Sequence, residues 1–415
     1  MNVRRSAAAL AAAAVIGAAT PALAASPSPT PSVAIPDGLY GTADPTYDGV
    51  WRQSLALLAQ DTAGVVPADR AVAWLTGQQC ANGAYAAFRP DPTKPCDAKL
   101  MVDTNSTAAA VQALTALGGH TAQTGKAVTW LKSVQNADGG WGYNPGGASD
   151  ANSTAVVTGA LVAAGERPEQ VVKGGKSPYD ALLTFALPCT GDGAGAFAYQ
   201  PDKQGKLTAN ADATAAAVLG ALGQPLNASP KKADYAKKGD KKADATPSGC
   251  AAPTTPEQAA RNGARYLSTA LAEDHHLVSA LPGAENQPDY GNTADAVVAL
   301  AAAGHTDEAT AALHWLEANA PRWAAQSGPA AYAQLVLAAH ATGTDPHAFG
   351  STDLVRLLDA TGPAPKRTAT ESTASDTSDD DGSSTTLWVT AGAVVLVVLV
   401  AAALFLARAR RRQQP

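Results

Sequence analysis

The residues best placed to do chemistry are acidic and amide side chains at points where helices are expected to begin. Asp103 and Asn105 stand at one such point, Asp150 and Asn152 at a second, and Asn210 and Asp212 at a third. Tyr290, Asn292 and Asp295 follow Asp289 at a fourth. Two carboxylates at a suitable separation are all that glycosidic cleavage requires. No spacing here marks one aspartate as acid and another as base, so no residue is assigned a catalytic role. The same residue types are the usual N-caps of helices, whose side-chain oxygens accept the free N–H groups of the first turn. Gathered on one rim, they make a polar mouth at the positive ends of several helices. Such a mouth suits a ligand carrying hydroxyl, amide or carboxylate groups. No metal site is expected: His275, His276, His305, His314, His340 and His347 fall in no ligand pattern, and the four cysteines are too far apart to chelate from one turn. No cofactor is expected either.

The elements that must hold these residues form an imperfect repeat. A short helix with an aromatic at a fixed point recurs as Ala71-Val-Ala-Trp74-Leu75, Ala127-Val-Thr-Trp130-Leu131, Ala181 to Phe185, Gly263 to Leu267 and Ala312-Leu-His-Trp315-Leu316. A turn rich in Gly and aromatics follows the first three copies, most fully at Asp138-Gly139-Gly140-Trp141-Gly142-Tyr143. A second helix then starts on a polar cap and ends on glycine at 118, 165, 223, 304 or 343, where a left-handed residue is needed. Apolar residues three and four apart, such as Val111, Leu114 and Leu117, give these segments helical period. Twelve helices are expected, at 48–59, 68–78, 104–117, 125–134, 151–164, 178–187, 209–222, 256–271, 292–303, 307–318, 329–342 and 352–360. A helical pair cannot bury its apolar faces alone, so the pairs must stack, and six pairs can close on themselves. The expected fold is all-α, an (α/α)6 toroid over residues 47–362, interrupted by a Lys-rich insert at 227–255.

The run Trp130-Leu-Lys-Ser-Val-Gln135-Asn-Ala-Asp138-Gly139-Gly140-Trp141-Gly142-Tyr143, followed by Asn152-Ser153-Thr154, resembles the repeat of the squalene cyclase and protein prenyltransferase β-subunit superfamily. Gln78-Gln79-Cys-Ala-Asn82-Gly83-Ala-Tyr85 is a partial copy. The resemblance implies a toroid whose inner helices follow the Gly-aromatic turns and start at a central cavity. It also implies where chemistry would sit in a cyclase or prenyltransferase. The acidic Asp-x-Asp-Asp type motif of the cyclases stands at no inner-helix start, and the Asp, Cys and His of a prenyltransferase zinc site are not in register. Toroids of this kind also serve as cobalamin carriers, which makes a corrinoid a candidate ligand beside an isoprenoid-like molecule.

The 415 residues are 46% hydrophobic, 5% aromatic and 16% charged, enough apolar material for a large core of closely packed small-residue helices. A net charge of -6 supplies no basic stripe, which excludes a nucleic-acid partner. Met1 to Ala24 reads as a secretory signal peptide and 25–46 as a Pro/Ser-rich segment. Residues 363–386 read as a Ser/Thr/Asp stalk, 387–407 as an uncharged span long enough to cross a bilayer, and 408–415 as a basic cytoplasmic tail. In an exported chain Cys80, Cys96, Cys189 and Cys250 are expected in two disulfides. Pairing by neighbourhood is the simplest of three connectivities. The sequence therefore points to a toroid outside the membrane on a single-pass anchor. It would capture a small molecule or surface polymer, with a membrane transporter as a possible partner and an enzyme of cyclase, prenyltransferase or glycan-cleaving type as the alternative.

Overall fold

Capping oxygens start the helices where the sequence places them. Asp103 accepts from Ser106 N at 2.6 Å, Asp150 from Ser153 N at 2.7 Å, Asn210 from Ala213 N at 2.8 Å and Asp289 from Asn292 N at 3.1 Å. At the other ends, the five closing glycines all have positive φ, as at Gly304 with φ 87°. The computed structural model describes residues 34–230, 249–280 and 284–366. The signal peptide, the core of the Lys-rich insert, most of the stalk, the 387–407 span and the basic tail lie outside the described residues. Among the described residues no helix is long and apolar enough to cross a membrane.

Among the described residues the chain is all-α apart from two short hairpins. Six helices are buried on nearly every side: α1 (Gly49–Thr62), α3 (Thr104–Leu117), α5 (Ala151–Ala163), α7 (Ala211–Ala221), α9 (Tyr290–Ala303) and α12 (Pro329–Thr342). α5, α7, α9 and α12 are rich in Ala, Val and Leu on every side, as a core helix requires, whereas α1 buries Arg52, Gln53 and Gln60 as well. The others have one wet face: α2 (Asp69–Gly77), α4 (Thr121–Ser133), α6 (Pro178–Phe185), α8 (Pro256–Ala270), α10 (Thr306–Asn319) and α13 (Leu354–Asp359). On α8, Glu257, Arg261 and Arg265 are exposed at four-residue spacing while Ala260, Ala264 and Leu267 are buried. A short helix absent from the sequence reading, α11 (Pro321–Ser327), precedes α12.

The buried helices pack in the order α1, α3, α5, α7, α9, α12, and α12 packs back on α1. Each carries a wet-faced partner on it: α2 on α1, α4 on α3, α6 on α5, α8 on α7, α10 on α9 and α13 on α12. Small residues permit the close approach. A Cβ at Gly220 of α7 would lie 2.7 Å from Ala155 Cα of α5. Where the last helix meets the first, buried Tyr40 donates its hydroxyl to Gln60 Oε1 at 2.9 Å, Gln60 Nε2 donates to Asp359 at 2.6 Å, and Gly41 N donates to Thr361 O at 2.8 Å. The disulfides are Cys80–Cys96 and Cys189–Cys250, the neighbour pairing, and suit an extracellular environment.

The Gly-aromatic turns fasten each buried helix to the one before it. In four copies an aromatic or leucine N–H is taken by a threonine hydroxyl one turn into the following helix: Tyr85 by Thr107, Trp141 by Thr154, Phe197 by Thr214 and Leu277 by Thr293, at 2.9–3.1 Å. The turns also supply carbonyls to a first-turn N–H of the preceding buried helix, Ala87 O to Val50, Tyr143 O to Thr104 and Tyr199 O to Ala151. Hairpins β1 (Tyr85–Ala86) with β2 (Val102–Asp103), and β3 (Leu277–Val278) with β4 (Pro288–Asp289), make the same fastening. Their registers pair Tyr85 with Asp103 and Leu277 with Asp289, equivalent places in the repeat.

Candidate functional site

All six buried helices contribute to one cavity of about 190 Å³. Its polar wall is Asn105 of α3, Asn152 of α5, Asp212 of α7, Asp295 of α9 and Gln334 of α12, with Trp51 of α1. Its apolar wall includes Leu55, Val156, Leu219, Val298 and Leu337, further along the same helices. Three polar residues occupy one place in the repeat, two after the cap: Asn105, Asn152 and Asp212. In α9 and α12 that place holds the small residues Gly291 and Ala330, and the polar group comes four residues later, as Asp295 and Gln334. At 1.5 Å per residue this carries it about 6 Å along the axis.

The polar groups pair across neighbouring helices. Asn152 Nδ2 donates to Asp212 Oδ2 at 2.7 Å, and Gln334 Nε2 donates to Asp295 Oδ2 at 3.2 Å and Oδ1 at 3.3 Å. Asn152 Oδ1 is buried and has no hydrogen-bond partner. Burial raises the pKa of Asp295 to about 7, assisted by the nearby Asp212 charge and opposed by the Gln334 amide. Burial also raises Asp212, against the Asn152 hydrogen bond and with the Asp289 charge. Among the described residues no Lys, Arg or His lines the cavity. Arg52, next to Trp51, gives its guanidinium to Asp48 at 3.0 Å and to Ala43 O at 2.8 Å.

A strand of chain after α7 crosses the later turns of the buried helices. Leu226, which lines the cavity, donates its N–H to Gln112 Oε1 at 2.8 Å; Asn227 Nδ2 reaches Thr62 Oγ1 at 3.4 Å; and Ser229 meets His340 Nε2 at 3.2 Å. Gly159 permits the crossing, because a Cβ there would lie 3.0 Å from Gln224 O and 3.3 Å from Pro225 Cα. The segment stops the cavity at the end away from the caps.

The structure divides the sequence-expected site residues. Asn105, Asn152, Asp212 and Asp295 line the cavity, whereas Asp103, Asp150 and Asn210 spend their side chains on caps and lie outside the lining. Burial pushes Asp103 up to about 6 and raises Asp150 as well. Asn292 donates Nδ2 to Asp289 at 2.8 Å. Tyr290 stacks between Trp315 and Trp323, with ring centroids 5.3 and 5.6 Å away. Trp51, Gln334 and Leu226 were not expected from sequence. Trp51 precedes the first recognisable turn, and Gln334 lies in the copy whose cap is glycine. Among the described residues no group of His, Cys, Asp and Glu could hold a metal ion.

No protein-family model and no curated protein matches the chain. Among solved structures it is similar to the crystal structure of a protein from Actinoplanes, with a TM-score of 0.46 and 15% identity over 74% of this chain and 94% of that one.

Proposed function

We propose that the chain is an extracellular capture protein: an (α/α)6 toroid whose central cavity holds a small ligand, presented at the cell surface by the 387–407 span. The observation that carries this reading is a cavity lined by all six buried helices, with Leu226 in its wall. Helices that merely packed would close on one another with alanine. Instead they bring five polar side chains to one apolar-walled space, the usual composition of a ligand site. Its roughly 190 Å³ compares with about 150 Å³ for an apolar cavity that admits benzene, so the enclosed part of the ligand is small. A whole corrinoid is far larger than this space.

Native mass spectrometry of the intact chain purified from its source tests the reading. A bound small molecule is expected, and it is lost in Ala216→Phe, which fills the cavity wall. Ligand-free protein from the source would contradict it. Asp295, held near neutrality beside Asp212, supports a second reading as a glycan-cleaving pair. That reading predicts product from a glycan substrate and at least about a hundredfold loss in Asp295→Asn.

A further inference from the structure

Among the described residues, the cavity has an excess of acceptors and no cation to answer them. Asp212 and Asp295 bring two carboxylates, and among the described residues their side-chain donors are the carboxamides of Asn152 and Gln334. Each carboxamide donation leaves its own oxygen seeking a donor, and Asn152 Oδ1 is buried without one. The charges felt are those of other aspartates, Asp289 at Asp212 and both Asp212 and Asp289 at Asp295. Helix N-termini ordinarily favour anions. Here one first-turn N–H of each of four helices already bonds Asp103, Asp150, Asn210 or Asp289, and the three carboxylates among these caps would repel a ligand anion. Trp51 adds an aromatic surface to the same lining, a partner for positive charge. The aliphatic wall of Leu55, Val156, Leu219, Val298 and Leu337 suits a short hydrocarbon body.

From this geometry we infer that the ligand is a small organic cation, an alkyl or quaternary ammonium. Its nitrogen lies against Asp212 and Asp295, and its carbons face the aliphatic wall. The inference rests on the capture reading and names the class of molecule captured. A primary ammonium satisfies both carboxylates and offers a donor to Asn152 Oδ1. A quaternary one relies on charge and on Trp51.

Isothermal titration calorimetry of the intact chain separates the two claims. The probes are n-pentylammonium and tetramethylammonium, with 1-pentanol, pentanoate, glucose and calcium chloride as comparisons. Pentylammonium is expected to bind about ten- to a hundredfold more tightly than 1-pentanol, the range for a hydrogen bond to a charged group, and pentanoate not at all. Asp212→Asn and Asp295→Asn, with unchanged circular dichroism, should each weaken pentylammonium at least about tenfold and 1-pentanol by less, narrowing the gap between the two probes. Equal binding of alcohol and amine, or preference for pentanoate, glucose or calcium, overturns the ammonium inference and leaves capture standing. Failure of every probe overturns both. If the two variants do not fold, the ranking of probes on the unaltered chain still decides.

Discussion

Thr154 accepts the N–H of Trp141 at 3.1 Å from a position with no accessible surface. Thr154→Val keeps the shape and leaves that N–H unpaired, which should destabilise the chain by about 1–3 kcal/mol in urea unfolding. Tyr85 stands at the equivalent place to Trp141, and its hydroxyl is buried with no partner. Tyr85→Phe should therefore be neutral or stabilising, by up to about 1 kcal/mol, and a clear loss in the same assay would contradict this. Asp295 and Asp103 carry the pH dependence. Their folded pKa values, about 7 and about 6, exceed that of a free aspartate, so the folded state binds more protons above about pH 4. Stability should fall as pH rises from about 4 to 7. The groups facing Asp295 are Asp212, Asp289 and Gln334, none of which reverses the sign. Asp295→Asn should flatten the upper part of this profile and raise the melting temperature at pH 8; an unchanged profile would count against the assigned environment. The residue scale was the least legible in the sequence. Acidic and amide residues at helix starts are visible there, but whether each caps or faces the cavity depends on a two-residue offset within the turn.

At the scale of elements, the helices could be read because cap, period and closing glycine agreed. The expected span 104–117 matches α3 (Thr104–Leu117), and 329–342 matches α12 (Pro329–Thr342). The helix α11 escaped because the seven residues from Pro321 to Ser327 have no polar cap and too little length to show a period. The hairpins escaped because each strand has only two residues. Nothing in the sequence marks the segment from Gln224 to Pro230 as a stopper, since its partners Gln112, Thr62 and His340 are remote in the chain. Gly159 is the one local sign of it. Gly159→Val should displace the segment and lower stability by about 1–3 kcal/mol, the range for an overpacked contact. Leu226→Ala should instead open the cavity floor, and ligand dissociation should quicken in stopped-flow measurements.

For the whole molecule, closure was legible as arithmetic, six hairpins with no evident terminal cap, but its fastening was not. Tyr40, Gln60 and Asp359 join the two ends of the fold through residues more than 290 positions apart, at Gln60 and Asp359. Loss of the Cys189–Cys250 bridge, which spans 61 residues, should weaken the fold by about 4 kcal/mol on the chain-entropy estimate, against about 3 for Cys80–Cys96, which spans 16. Guanidinium midpoints of the paired Cys→Ser variants check that order. The cavity stayed hidden because it combines between one and four side chains from each of six helices, a set that no linear motif records. A crystal structure of the protein as isolated from its source, detailed enough to show ordered solvent, tests the account most directly. It should show ligand density bounded by Asn152, Asp212, Asp295 and Gln334, with Leu226 at its inner end. A cavity closed by side chains, or an α12 that does not meet α1, would contradict it.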